Sequence, residues 1–156
     1  MDAKAAVYGN TARTYSVWLN VPNTGQEPVW TVGTGVTGNR FASYVNISGG
    51  PYVSYNNDDV YQGSGALAAG WHHFAVIYDG QGYSTNHTYC YVDGKARSLS
   101  SVSGTTSASI NTLVTPNYLG KGWDANYFVG QMDTFEIYTQ AFSSVQISTL
   151  FSLGRR

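Results

Sequence analysis

Between Trp71 and Asp79 the chain reads WHHFAVIYD. Phe74, Val76 and Tyr78 fall on one parity, and His73, Ala75 and Ile77 on the other. Successive side chains of a strand point to opposite faces, so strict alternation would leave one face polar. Here both faces are mostly apolar or aromatic. That pattern predicts a central strand covered on both sides. Asp79-Gly80 then stops the run with turn residues.

Shorter runs of the same kind recur between turn clusters. They predict strands over residues 5–8, 14–20, 29–32, 40–47, 52–55, 71–78, 88–92, 95–99, 118–119 and 128–138. Asp93-Gly94 separates two of them by two residues that both tolerate positive φ, as a type I′ hairpin turn requires. Pro22, Pro51 and Pro116 fall in connections, where a missing N–H is harmless. Residues 98–109, rich in Ser, Thr and Gly, read as a loop or a weak edge strand.

The last strand carries a mismatch. Phe128, Gly130 and Met132 share a parity, but Phe135 and Ile137 lie on the other. One face can bury both sets only if a residue is inserted, so a β-bulge is expected around Asp133-Thr134, with Asp133 accepting from freed backbone N–H groups. A single helix is expected to start at Ser143, where Ser143-Ser144-Val145-Gln146 fits a capping box, and to stop before Gly154. Val145 and Leu150, supported by Phe142 and Phe151, are the residues expected to pin it. Many short strands and one helix predict an all-β sandwich occupying residues 1–156 as one domain.

Four stretches carry a family resemblance. They are Arg13-Thr14-Tyr15-Ser16-Val17-Trp18-Leu19, the run Trp71-His72-His73 through Asp79-Gly80, Tyr91-Val92-Asp93-Gly94-Lys95, and Phe128-Val129-Gly130-Gln131-Met132-Asp133-Thr134-Phe135-Glu136-Ile137-Tyr138. In this order they resemble the laminin-G-like domains of the concanavalin-A-like sandwich superfamily. The resemblance implies a two-sheet antiparallel jelly-roll β-sandwich with one short C-terminal helix. It also implies a plain recognition module on an exterior surface.

With 156 residues there is enough chain for a full two-sheet core. Charged residues are 11% and the net charge is −1, which leaves no electrostatic footprint for nucleic acid. No apolar run approaches the ~18 residues needed to cross a membrane, so insertion is not expected. MDAKAAVYGN lacks the pattern of a signal peptide. The expectation is therefore either an excised domain or a protein that reaches its place without secretion, as a virion component would. Cys90 is the only cysteine and reads as a small buried hydrophobe. Asn46-Ile47-Ser48 and Asn86-His87-Thr88 fit the glycosylation sequon.

The superfamily includes glucanases, which makes catalysis the first question. A retaining glycosidase needs two carboxylates about 5–5.5 Å apart. The chain has two glutamates, Glu27 and Glu136, and neither lies in a closely spaced acidic run. Asp133 and Glu136, three apart, would face opposite ways on a regular strand, and only the expected bulge could bring them closer. No hydrolase is read here. His72 and His73 would also point to opposite faces, which suits strand histidines with satisfied ring nitrogens better than metal ligands. No phosphate loop or nucleophile elbow is present.

Two stretches could carry recognition. Tyr55-Asn56-Asn57-Asp58-Asp59-Val60-Tyr61 groups oxygen-bearing side chains of the kind calcium prefers. A solvated polar turn is the simpler account. Asp58 and Asp59 are the candidate metal ligands, and the resemblance adds that such modules often hold a calcium ion on a rim loop. Lys121-Gly122-Trp123-Asp124-Ala125-Asn126-Tyr127 sets a tryptophan among loop residues. Trp123 could stack on a sugar ring or anchor a protein partner, with Asp124 and Asn126 bonding hydroxyls and Tyr127 adding a second ring. Alternatively, Trp123 closes over the end of the sandwich. Trp18, Trp30 and Trp71 lie in strands and read as core. The 13 tyrosines exceed what one core can bury, so several should keep wet hydroxyls.

The expected function is a non-catalytic module that binds a glycan or a surface protein, outside a cell or on a virion. The alternative is a structural or decorating subunit of a virion or surface layer, held on a capsid or other scaffold protein.

Overall fold

The computed structural model describes residues 8–22, 25–36, 38–46, 49–55, 60–63, 65, 67–82, 86–103, 110–113, 116–123 and 125–154. Among them, eleven strands precede one helix: β1 (Arg13–Val21), β2 (Gln26–Gly33), β3 (Arg40–Asn46), β4 (Tyr52–Ser54), β5 (Val60–Gly63), β6 (Gly70–Tyr78), β7 (Thr88–Val92), β8 (Lys95–Arg97), β9 (Leu99–Ser103), β10 (Asn117–Leu119), β11 (Gln131–Tyr138) and α1 (Ser144–Leu153). They form two antiparallel sheets, ordered β11-β1-β6-β7-β8 and β10-β2-β3-β4-β5-β9. The predicted all-β sandwich with a C-terminal helix is the fold observed.

Strand β6 behaves as its two-sided pattern requires. Phe74, Val76 and Tyr78 join Tyr15, Val17 and Leu19 of β1 and Cys90 and Val92 of β7 in the space between the sheets, against Trp30, Val32, Phe41, Val45 and Val53. Phe135 and Ile137 pack against the same core. Tyr15 sits at its centre, edge-on to Trp30 at 5.2 Å, Phe74 at 5.9 Å and Phe41 at 6.0 Å. Edge-to-face packing of this kind adds about 0.5–1.5 kcal/mol per pair beyond area burial. Burial pushes the Cys90 thiol up to about 12, so it is a packed hydrophobe and not a nucleophile.

The other face of β6, through Ala75 and Ile77, meets Tyr91 and α1 in a second cluster. The helix begins with the expected capping box: the Ser143 hydroxyl accepts from Gln146 N–H at 3.3 Å, and Gln146 Oε1 accepts from Ser143 N–H at 2.8 Å. Its anchor differs from the expectation. Ile147 is the residue buried against the sheet, with Leu150 and Phe142 half-buried beside it, while Val145 is 72% exposed. Two residues before Ile147 means about 200° around a helix, which turns Val145 to solvent. Phe151 stacks on Trp18 at 5.8 Å.

The hairpin turn is as predicted, with Asp93 at φ 53 and Gly94 at φ 71. The Asp93 carboxylate ties it to β6, accepting from His73 N–H at 2.9 Å. The bulge in β11 is also present. Ser16 faces Glu136 and Trp18 faces Asp133, so Val17 opposes both Thr134 and Phe135, with Thr134 at φ 52. The Thr134 hydroxyl donates to Asp133 Oδ1 at 3.1 Å. Arg13 lies buried at one end of the sandwich, donating to the carbonyls of Gly9 at 2.8 Å and Thr11 at 3.1 Å and to Thr112 Oγ1 at 3.1 Å. Burial lowers its pKa, and the Tyr78 ring 5.2 Å below it offsets part of that cost.

Several expectations need correction. Of the segment 5–8, residues 5–7 lie outside the described residues and Tyr8 is not in a strand. β5 occupies part of the stretch read as a polar turn. The strand expected over 95–99 divides at Ser98: β8 stays with β7, whereas β9 crosses to the edge of the six-stranded sheet. β11 starts only at Gln131, because Gly130, at φ 151, lets the backbone pass so close to Asn20 that a Cβ would stand 2.4 Å from its carbonyl oxygen. Trp71 is 39% exposed rather than core. It shares the helix-side parity of β6 but pairs only with Asn20 of β1, since β7 reaches no further than Phe74.

Phe74 has no exposed surface. Phe74→Ala is expected to cost about 3–5 kcal/mol in a denaturant melt. A loss below about 1 kcal/mol would contradict the position of β6 between two covering layers.

Candidate functional site

Trp123 stands in the turn that follows β10. Gly120 leads into it, and an isolated bridge pairs Lys121 with Tyr127 across its neck. Gly122 N–H donates to the Asn126 carbonyl at 2.8 Å, and Phe128 N–H to the Gly120 carbonyl at 2.8 Å. Ala125 takes φ 65, a conformation that costs a residue with a Cβ roughly 1–2 kcal/mol. The base of the turn is fixed from below. Glu27 of β2, 5% exposed, accepts from Val129 N–H at 2.7 Å.

The Trp123 ring neither inserts into the core nor stands free. Arg40, at the start of β3, places its guanidinium 5.1 Å from the ring centroid, while 52% of the residue stays exposed. Arg40 alternates with core-facing Phe41, so it projects from the outer face of the six-stranded sheet, where it donates to Ser54 Oγ at 3.0 Å. Beside Trp123, the Lys121 ammonium lies 4.4 Å from the Tyr118 ring and 5.8 Å from the Tyr127 ring. Tyr127 is 62% exposed. Trp123, Lys121 and Tyr118 line a cavity of about 270 Å³ together with Thr31, Gly33, Thr34, Gly35 and Pro116.

Of the site residues expected from sequence, Trp123 and Tyr127 are therefore brought to the same exposed loop. Asn126 is exposed there too, its carbonyl closing the turn. Asp124 lies outside the described residues, as do the candidate calcium ligands Asp58 and Asp59. Among the described residues no three His, Cys, Asp or Glu side chains come together as a metal site. Arg40, Tyr118 and Thr31 escaped the sequence reading. Tyr118 lies on β10, three residues before Lys121, whereas Thr31 and Arg40 reach the loop from β2 and β3 through the register of β10 on β2 and β2 on β3. Tyrosine exposure elsewhere is scattered, with Tyr8 at 56% and Tyr89 at 42%.

A second cavity, of about 470 Å³, opens between α1 and the five-stranded sheet, lined by Ser16, Trp18, His73, Thr134, Glu136, Leu150, Leu153 and Gly154. His73 is buried between the rings of Trp18 (5.4 Å) and Phe151 (6.0 Å), and its Nδ1 has no hydrogen-bond partner among the described residues. That corrects the expectation of satisfied nitrogens. Burial lowers its pKa against the pull of Asp93 and Glu136, which keeps the ring neutral. His72, on the opposite face, is satisfied, with Nδ1 2.8 Å from Asp93 Oδ2 and Nε2 2.9 Å from the Ala68 carbonyl. The two glutamates are not a pair. Glu27 holds Val129, whereas Glu136 lies five strand residues beyond Gln131, roughly 15 Å along β11, and accepts from Tyr138 Oη at 2.8 Å.

A family profile described as the concanavalin A-like lectin/glucanases superfamily, Laminin_G_3, matches residues 2–148. The chain belongs to this superfamily. No curated protein matches it in sequence. Solved structures share the fold at low identity. A heptameric SAP-like pentraxin from Limulus polyphemus aligns over 95% of this chain and 73% of its own, at 13% identity and a TM-score of 0.66. The CBM40 of Ruminococcus gnavus IT-sialidase, bound to α2,3-sialyllactose, aligns over 95% and 85%, at 13% identity and a TM-score of 0.65. Domain 4 of the extracellular GH43 arabinanase AbnA from Geobacillus stearothermophilus, in complex with arabinotriose, aligns over 94% and 68%, at 19% identity and a TM-score of 0.63.

If Glu27 is what fixes the base of the loop, Glu27→Ala should leave the Val129 N–H without its acceptor. The expected cost is about 1–3 kcal/mol, with faster amide exchange at Val129 and Phe128. Unchanged exchange there would show that the loop is held by its own turn alone.

Proposed function

We propose that this lectin-like domain is a non-catalytic glycan-binding module acting on an exterior surface, and that sugar docks on the loop carrying Trp123. The observation that carries the reading is the state of that ring: half exposed, yet held in place by Arg40 and by a turn bonded at both ends. An exposed aromatic ring that is already ordered can bind with little further loss of side-chain entropy. Tyr118 and Tyr127 extend the apolar platform, and Asn126 offers polar atoms beside it. The separation of Glu27 from Glu136 supports binding rather than hydrolysis. Several similar structures, at low identity, are described as carbohydrate-binding, which agrees with this reading.

Glycan-array binding followed by titration of the best ligand tests it. Trp123→Ala should weaken that ligand by about thirtyfold, as expected for an anchor worth about 2 kcal/mol, without shifting the thermal melt. No reducing sugar should be released from polysaccharides. Binding unchanged by Trp123→Ala would remove the stacking role. Binding to no glycan at all would overturn the reading in favour of a structural subunit, and turnover abolished by Glu136→Gln would replace it with a hydrolase.

A further inference from the structure

We infer that the cavity beside Trp123 selects a sugar bearing a carboxylate, with Lys121 as the residue that reads the charge. The inference rests on the glycan-binding reading of the same loop and adds the class of sugar.

Four observations lead to it. Among the described residues lining the cavity, the one charge is positive, Lys121, and no carboxylate is present. Among the described residues the Lys121 ammonium has no ion-pair partner; it is held between the faces of Tyr118 at 4.4 Å and Tyr127 at 5.8 Å. A ring quadrupole attracts a cation but leaves its net charge uncompensated, so an entering anion gains the full charge-assisted contact. Second, the cavity, about 270 Å³, is at the small end of ligand sites, which suits one terminal or side-branch sugar ring rather than a chain.

Third, Thr31 on the floor of the cavity is fully buried, and its hydroxyl has no hydrogen-bond partner among the described residues. A buried hydroxyl without a partner is costly, and a ligand oxygen seated at the base of the cavity would relieve it. Fourth, the guanidinium against Trp123 adds a second positive group on the sheet side of the ring. A neutral sugar would meet the aromatic walls and leave Lys121 unanswered. A uronate or sialate would lay its ring on Trp123 and direct its carboxylate to Lys121.

Matched ligands separate charge from shape. The wild-type protein is titrated with trigalacturonate and its methyl ester, and with sialyllactose and lactose, in low and high salt. At least one acid should bind about tenfold or more tighter than its neutral partner, and that advantage should shrink as salt rises. Lys121→Met should abolish the advantage while leaving the melt unchanged, and Lys121→Arg should restore it. Thr31→Val should weaken the acid without lowering the melting temperature, since it removes a hydroxyl that no described residue satisfies. Equal affinity for acid and neutral sugars, or an acid preference that survives Lys121→Met, overturns this inference and leaves the glycan-binding reading intact. Absence of binding to all four ligands, with neutral glycans of the array still bound through Trp123, also overturns it. Absence of binding to any glycan overturns both.

Discussion

The burial of β6 on both faces is the constraint from which the rest follows. One face supplies Phe74, Val76 and Tyr78 to the space between the sheets, and the other supplies Ala75 and Ile77 to a second cluster. A strand that is apolar on both sides cannot end a two-layer sandwich. It needs a third layer, and the short helix α1 is that layer, set down by its capping box and anchored by Ile147. With that face closed by the helix, the outer face of the opposite sheet is left to carry the Trp123 loop.

The loop owes its order to several modest contacts. A buried carboxylate from β2 receives Val129, Gly120 and Gly122 supply two turn bonds, and a guanidinium from β3 lies against the tryptophan. None of these groups is adjacent in sequence to another on the opposite side of the site. The register of three strands brings them together, which is why a residue with 52% of its surface exposed can still hold one position. The six-stranded sheet is the rigid scaffold that sets the geometry of this loop, which the proposed binding surface depends on.

Much of the fold could be read from the chain because its signals are local. Asp93-Gly94 specified its turn through two positive φ angles, and Ser143 with Gln146 marked the start of the helix. The parity change between Met132 and Phe135 located the bulge within a residue. Where the local pattern is ambiguous, it does not decide the structure. Val145 and Ile147 are both apolar, and only the docking of the helix decides which one is buried. Trp71 follows the strand pattern but lies beyond the reach of β7. At the site, the loop was legible as Trp123 among Gly, Asp and Asn, yet the partners that give it shape were not. Arg40, Tyr118 and Thr31 look like ordinary strand residues until the sheet is assembled.

The proposed function depends on where a glycan binds: on the Trp123 loop of the six-stranded sheet or in the larger cleft under α1. An amide chemical-shift titration with a bound glycan tests this most directly. The result expected is a cluster of shifted resonances at Thr31, Thr34, Arg40, Lys121, Trp123 and Tyr127, with the amides of Thr134, Glu136, Leu150 and Gly154 unmoved. Shifts confined to that second group would contradict the account and move the site to the helix-covered face.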